Sequence, residues 1–231
     1  MKESVIGIIG GMSSYATLDF FSRLLEAFPA KKEWDRPRII IDNNCTMPSR
    51  VRAILYNENR ENLINNLSDS INNLINSGAT KIVLACNTSH YFLNDIYLAN
   101  PKAKDYILDI IEECYKDCLK NKINQATLLA TEGTLDTKIY NRYFRNIKVN
   151  YPKKKCFDGI RYFIEIVKQN NIDKSSLDDF YNFVESFSDK NIILGCTELP
   201  VLYRRCLNEG YLFSKNIIDP LDSVINTLKN I

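Results

Sequence analysis

Two cysteines close short apolar runs in nearly the same surroundings: Lys81-Ile-Val-Leu-Ala-Cys86-Asn87-Thr88 and Asn191-Ile-Ile-Leu-Gly-Cys196-Thr197-Glu198. Each run reads as a buried strand that ends at a thiol, followed by residues that favour a turn and a helix start. Inverting the α-carbon of an amino acid needs a base on one face and an acid on the other, and reversibility makes the two exchange roles. Two like groups satisfy that symmetry. A thiol suits the task because its ordinary pKa of about 8.5 lies near working pH and falls beside a cation or at a helix N-terminus. Free backbone N–H groups at the two strand-to-helix junctions, with the side chains of Asn87, Thr88 and Thr197, are candidate donors to a substrate carboxylate. Gly7-x-x-Gly10-Gly11 has the spacing of neither a dinucleotide loop nor a phosphate-binding loop, so no cofactor is expected. His90, the single histidine, lies four residues after Cys86; a helix starting near Asn87 would either carry its ring towards the thiol or leave it hydrogen-bonded at the helix start.

The elements that must hold these thiols alternate along the whole chain. Strands are predicted over 5–9, 38–41, 81–85, 106–108, 126–129, 147–149, 191–194 and 216–218, each short and rich in branched apolar residues. Helices are predicted over 14–27, 58–76, 110–120, 135–145, 158–169, 175–187 and 221–230. Leu63, Leu67, Ile71, Leu74 and Ile75 show the amphipathic spacing. The alternation implies mainly parallel sheets flanked by helices, an α/β fold with the strand C-terminal ends gathered on one edge. A glycine-bearing segment follows a strand at Gly10-Gly11-Met12 and again at Thr131-Glu132-Gly133-Thr134, and a cysteine-ending strand comes later in each part. The reading is two similar domains, 1–101 plus 217–231 and 102–216, with the last strand and helix returning to the first and one cysteine on each wall of the cleft.

Composition narrows the alternatives. The chain has 231 residues, 45% hydrophobic and 25% charged, enough for a substantial core. Thirty basic and 28 acidic side chains give a formal charge of +2, which supplies no electrostatic case for a nucleic-acid or membrane partner. Lys153-Lys154-Lys155 reads as a solvated loop. No apolar stretch approaches the ~20 residues that span a bilayer, and Lys2 with Glu3 before a glycine-broken run makes a poor signal peptide, so a cytoplasmic location is expected. The odd number of cysteines, seven, fits reduced thiols. Cys114, Cys118, Cys156 and Cys206 read as core residues, and no metal site is expected.

Taken together, Ile8-Ile-Gly-Gly-Met12, Cys86-Asn-Thr-Ser-His90, Leu129-Ala-Thr-Glu-Gly-Thr134, Gly195-Cys-Thr-Glu198 and Ile218-Asp-Pro220 resemble the cofactor-independent aspartate/glutamate racemases over nearly the whole chain. The resemblance implies two related α/β domains, a homodimer, and Cys86 and Cys196 as the catalytic acid/base pair. It implies a dicarboxylic amino acid as the small-molecule partner, met by Met12, Asn87, Thr88, Thr131, Gly133, Thr134, Thr197 and Glu198. Glutamate racemases usually carry histidine where this chain has Glu198, which points to the aspartate branch. Arg50 matches an arginine that meets the substrate's side-chain carboxylate, a role suited to a planar guanidinium, and Lys168 matches a lysine near the active site. The loop Ser13-Ser14-Tyr15-Ala16-Thr17 departs from many relatives. Alternatives within the superfamily are hydantoin racemase, maleate isomerase and arylmalonate decarboxylase; outside it stand a non-catalytic amino-acid-binding protein and a thiol redox protein.

Overall fold

A computed structural model describes residues 4–230, so Lys2 and Glu3, weighed above against a signal peptide, lie outside the described residues. The strands are β1 (Val5–Gly10), β2 (Arg38–Asn43), β3 (Lys81–Leu84), β4 (Ile107–Leu108), β5 (Gln125–Leu129), β6 (Lys148–Asn150), β7 (Asn191–Leu194) and β8 (Asn216–Ile218). The helices are α1 (Ser14–Ala27), α2 (Arg50–Leu55), α3 (Arg60–Asn76), α4 (Leu93–Ala99), α5 (Ala103–Tyr106), α6 (Ile110–Lys120), α7 (Glu132–Thr137), α8 (Phe157–Lys168), α9 (Lys174–Glu185), α10 (Leu199–Asn208) and α11 (Pro220–Leu228).

The strands form two four-stranded parallel sheets with the same plan, β2-β1-β3-β4 and β6-β5-β7-β8. This is the expected two-part α/β architecture. The cysteine-ending strands β3 and β7 occupy equivalent places, third in each sheet. Sheet membership corrects the expected division of the chain. Ile107–Leu108 pairs with β3 and so extends the first sheet beyond residue 101, whereas Asn216–Ile218 pairs with β7 instead of returning to the first half. Each half completes its own fourth strand through a crossover from its third. Of the last two elements the helix does reach back, since α11 packs on α1 as well as on α6.

Three cores hold the fold. One lies against α3, where Leu63, Leu67, Ile71 and Leu74 are buried as their spacing predicts, each side chain contributing roughly 1.5–3 kcal/mol on leaving water. A second lies between the second sheet and α8, α9 and α10. The third is shared by both sheets: Ile6, Ile8 and Val83 of the first, Ala126, Leu128 and Ile193 of the second, and apolar residues of α1, α6 and α11 between them. Arg23 of α1 is buried against Asp219, the residue that caps α11, at 2.7 Å. Cys114, Cys118 and Cys206 are core residues as expected, but Cys156 is only half-buried because it sits in the 3-10 turn Lys154–Cys156 that enters α8.

The helix expected over 135–145 starts and stops earlier. Thr131 caps α7 by accepting a hydrogen bond from the Thr134 N–H, and Lys138 takes a left-handed conformation (φ 49°) that ends it before a separate 3-10 turn, Ile139–Arg142. Among the described residues no helix is long and apolar enough to cross a membrane.

Candidate active site

Both thiols sit just beyond the last ladder bond of their strands. The Ala85 N–H donates to Ile9 O at 2.9 Å and the Gly195 N–H to Leu129 O at 2.7 Å, so Cys86 and Cys196 are each the first residue released from its sheet. Cys86 is extended (φ −160°, ψ 113°) and leads into the 3-10 turn Asn87–Phe92. Cys196 leads through Thr197 and Glu198 into α10, which opens on Leu199-Pro200. Gly195 lacks a side chain for a steric reason, because a Cβ there would stand 2.4 Å from Leu128 Cδ1.

The two turns touch. The Thr197 hydroxyl donates to the carbonyl of Ala85 at 3.3 Å, joining the residue after one cysteine to the residue before the other. Cys196 is 6% exposed and its thiol donates to Glu198 Oε2 at 2.9 Å. Its pKa is driven well above the ordinary cysteine value, first by burial, then by the charge of Glu198 and its hydrogen bond, and further by Cys86, with Lys168 pulling the other way. Cys196 therefore holds its proton, and Cys86, half-buried, lies close enough to add to that upward push.

Besides Thr197 and Glu198, the residues expected to hold substrate fall into three groups. Thr88, Thr131 and Thr134 meet across the halves, the Thr88 hydroxyl standing 2.9 Å from that of Thr131 and 3.1 Å from that of Thr134. Gly133 belongs to the same contact; a Cβ there would lie 3.2 Å from Ile54 Cδ1 and 3.6 Å from Thr88 Cγ2. Asn87 is buried with its Oδ1 accepting a hydrogen bond from the Tyr140 hydroxyl at 2.7 Å, while its Nδ2 has no partner. Buried donors are normally satisfied, so this one, on the residue after Cys86, is open to an acceptor from outside the chain, whether water or ligand.

Met12 and Arg50 form the second group. Gly11, at φ 79° and with no room for a Cβ beside the Asn44 backbone, turns the loop so that Met12 O accepts from Arg50 Nη2 at 2.9 Å and Met12 Sδ accepts from the Ser89 hydroxyl at 2.8 Å. Arg50 Nη1 donates to Pro48 O at 3.1 Å. Its buried Nε–H is unpaired, and each terminal nitrogen keeps a second N–H, so three donors of the guanidinium remain for an acceptor. Ser13 Oγ, next to Met12 in the divergent loop, is also buried without a partner.

Lys168 is the third. It ends α8, donates to Glu165 at 2.9 Å, and with Ser49, Thr131 and Arg161 lines a cavity of about 200 Å3 whose walls do not include the cysteines. Burial works against its charge, yet the hydrogen bond to Glu165 and the charges of Glu198, Glu165 and Cys196 raise its pKa, so Lys168 stays charged within their field. A larger depression of about 620 Å3 lies beside Trp34 and Arg36 and carries no thiol.

His90 does not reach the Cys86 sulfur. Its Nδ1 is 3.0 Å from Cys86 O and its Nε2 accepts from the Ile110 N–H at 3.3 Å, so the ring is a neutral brace with the proton on Nδ1. Sequence reasoning passed over Tyr140, because a lone tyrosine inside an expected helix carries no signal of a contact to Asn87, fifty-three residues away in the chain.

Comparison with known proteins comes to the same place. A sequence model of the family described as Asp/Glu/Hydantoin racemase matches residues 9–228. The chain is 26% identical over 203 residues to the broad specificity amino-acid racemase RacX of Bacillus subtilis, covering 84% of this chain and 86% of that protein. It is 25% identical over 196 residues to the glutamate racemase of Aquifex aeolicus, covering 83% and 72%. The solved aspartate racemase of Picrophilus torridus superposes with a TM-score of 0.83 at 25% identity, covering 98% of this chain and 93% of that one.

Proposed function

The chain belongs to the Asp/Glu/Hydantoin racemase family, and from that premise we propose that it interconverts L- and D-aspartate by proton transfer between Cys86, Cys196 and the substrate α-carbon, without a cofactor. The observation that carries this reading is the direct bond from Thr197 to Ala85, which sets the turns of Cys86 and Cys196 against each other at equivalent strand ends. In one direction the Cys86 thiolate removes the α-proton from one face while the Cys196 thiol delivers its own to the other. The reverse direction exchanges the roles, and Glu198 stands ready to hold the Cys196 proton.

Asn87 Nδ2 and the free backbone N–H groups of the turns meet the α-carboxylate, and the Arg50 guanidinium meets the side-chain carboxylate. Lys168 holds the field around Cys196. The likeness to the Picrophilus torridus aspartate racemase, together with Glu198 after Cys196-Thr197, favours aspartate. A broader range is the second reading. It is favoured by Arg50, two of whose N–H groups are already spent on Met12 and Pro48, and by the likeness to RacX. A homodimer, on family resemblance, completes the proposal.

The test is incubation with L-Asp, D-Asp, L-Glu, D-Glu and L-Ala in D₂O, following α-hydrogen loss by NMR and chirality by chromatography. Exchange and inversion of aspartate ahead of the others is the expected result. Inversion of alanine at a comparable rate would establish the broader reading, and binding without exchange of any α-hydrogen would overturn both.

A further inference from the structure

Tyr140 is fully buried and touches both cysteine-bearing turns with one oxygen. The early end of α7 at Lys138 places it in the 3-10 turn Ile139–Arg142, from which its hydroxyl donates to Asn87 Oδ1, one residue past Cys86. The same oxygen lies against the backbone on the other side, since a Cβ on Gly195, one residue before Cys196, would stand 3.2 Å from it. Burial above all keeps the phenol protonated and therefore a donor. Its bond fixes which way the Asn87 amide faces. With Oδ1 taken, the buried and unpaired Nδ2 is the end left for a ligand.

Resting on the function proposed above, we infer that Tyr140 is a positioning residue for the two-thiol reaction: its hydroxyl orients Asn87 towards the substrate carboxylate and spaces the Cys86 turn from the Cys196 turn. Any acidic amino-acid substrate would feel this through binding more than through the proton transfers themselves. A tyrosine that only filled the core would act on stability alone.

The experiment is a double-mutant cycle on the full chain with Tyr140→Phe and Asn87→Ala, measuring kcat and KM for the amino acid that the wild type turns over, with the thermal midpoint as a folding control. Tyr140→Phe is expected to raise KM about tenfold with a smaller change in kcat, because an unfixed amide no longer presents its donor to a charged partner. In the Asn87→Ala background the same substitution is expected to change KM less than about twofold, since the group it acts through is gone. A lowered thermal midpoint with unchanged KM, or additive effects in the double variant, overturns the inference. Should Tyr140→Phe fail to fold, Asn87→Ala with an unchanged KM overturns it equally. An inactive wild type would instead strike the proposed function, so the two failures are distinguishable.

Discussion

At the scale of single residues, the two thiols are chemically alike but differently held. Cys86 is half-buried and sits on a turn braced by His90, whereas Cys196 is nearly sealed and bonded to a carboxylate. Burial and the Glu198 charge both raise the Cys196 pKa, so removing the charge while keeping the shape lowers it. In Glu198→Gln, alkylation of Cys196 by iodoacetamide, followed by peptide mass spectrometry across a pH series, is expected to set in at lower pH than in the wild type. An unchanged or higher onset would mean that Glu198 does not carry its charge against that sulfur. The two candidate thiols were legible in sequence because each closes an apolar run with its own punctuation. The unpaired Asn87 Nδ2 and Arg50 Nε were not, because an orphaned donor is defined by what fails to surround it in three dimensions.

At the scale of elements, Asp219 does two jobs at the start of α11. Its Oδ1 caps the helix by accepting from the Leu221 N–H at 2.9 Å, and its Oδ2 pairs with buried Arg23 of α1. Asp219→Ala removes the cap and the most buried of the three carboxylates that hold Arg23, leaving Asp19 and Asp222, and a loss of about 2–4 kcal/mol in urea unfolding is expected. A loss under about 1 kcal/mol would show that Asp19 and Asp222 satisfy Arg23 alone. All eight strands lie within a residue or two of their sequence expectation, since a short run of isoleucine, valine and leucine between turn residues leaves little choice. The short helices α2 and α4 escaped because one or two turns show no period, and α10 because its start is hidden in the Cys196-Thr197-Glu198-Leu199-Pro200 motif. The partner of β8 was misjudged for another reason: which strand an edge strand joins is a long-range choice that its three residues do not encode.

At the scale of the whole molecule, two copies of one sheet plan share a core through α1, α6 and α11, and hydrogen bonds join the two halves around the cysteine turns. Thr197 bonds to Ala85, Tyr140 to Asn87, and Thr88 to Thr131 and Thr134. The duplicated architecture matters functionally only if both thiols work on one carbon. The most direct measurement is α-hydrogen exchange in D₂O by Cys86→Ala and Cys196→Ala, starting from each pure enantiomer of aspartate. Racemisation should fall at least about a hundredfold in both variants, with residual exchange confined to one enantiomer in the first and to the opposite enantiomer in the second. Wild-type racemisation by either variant would contradict the account.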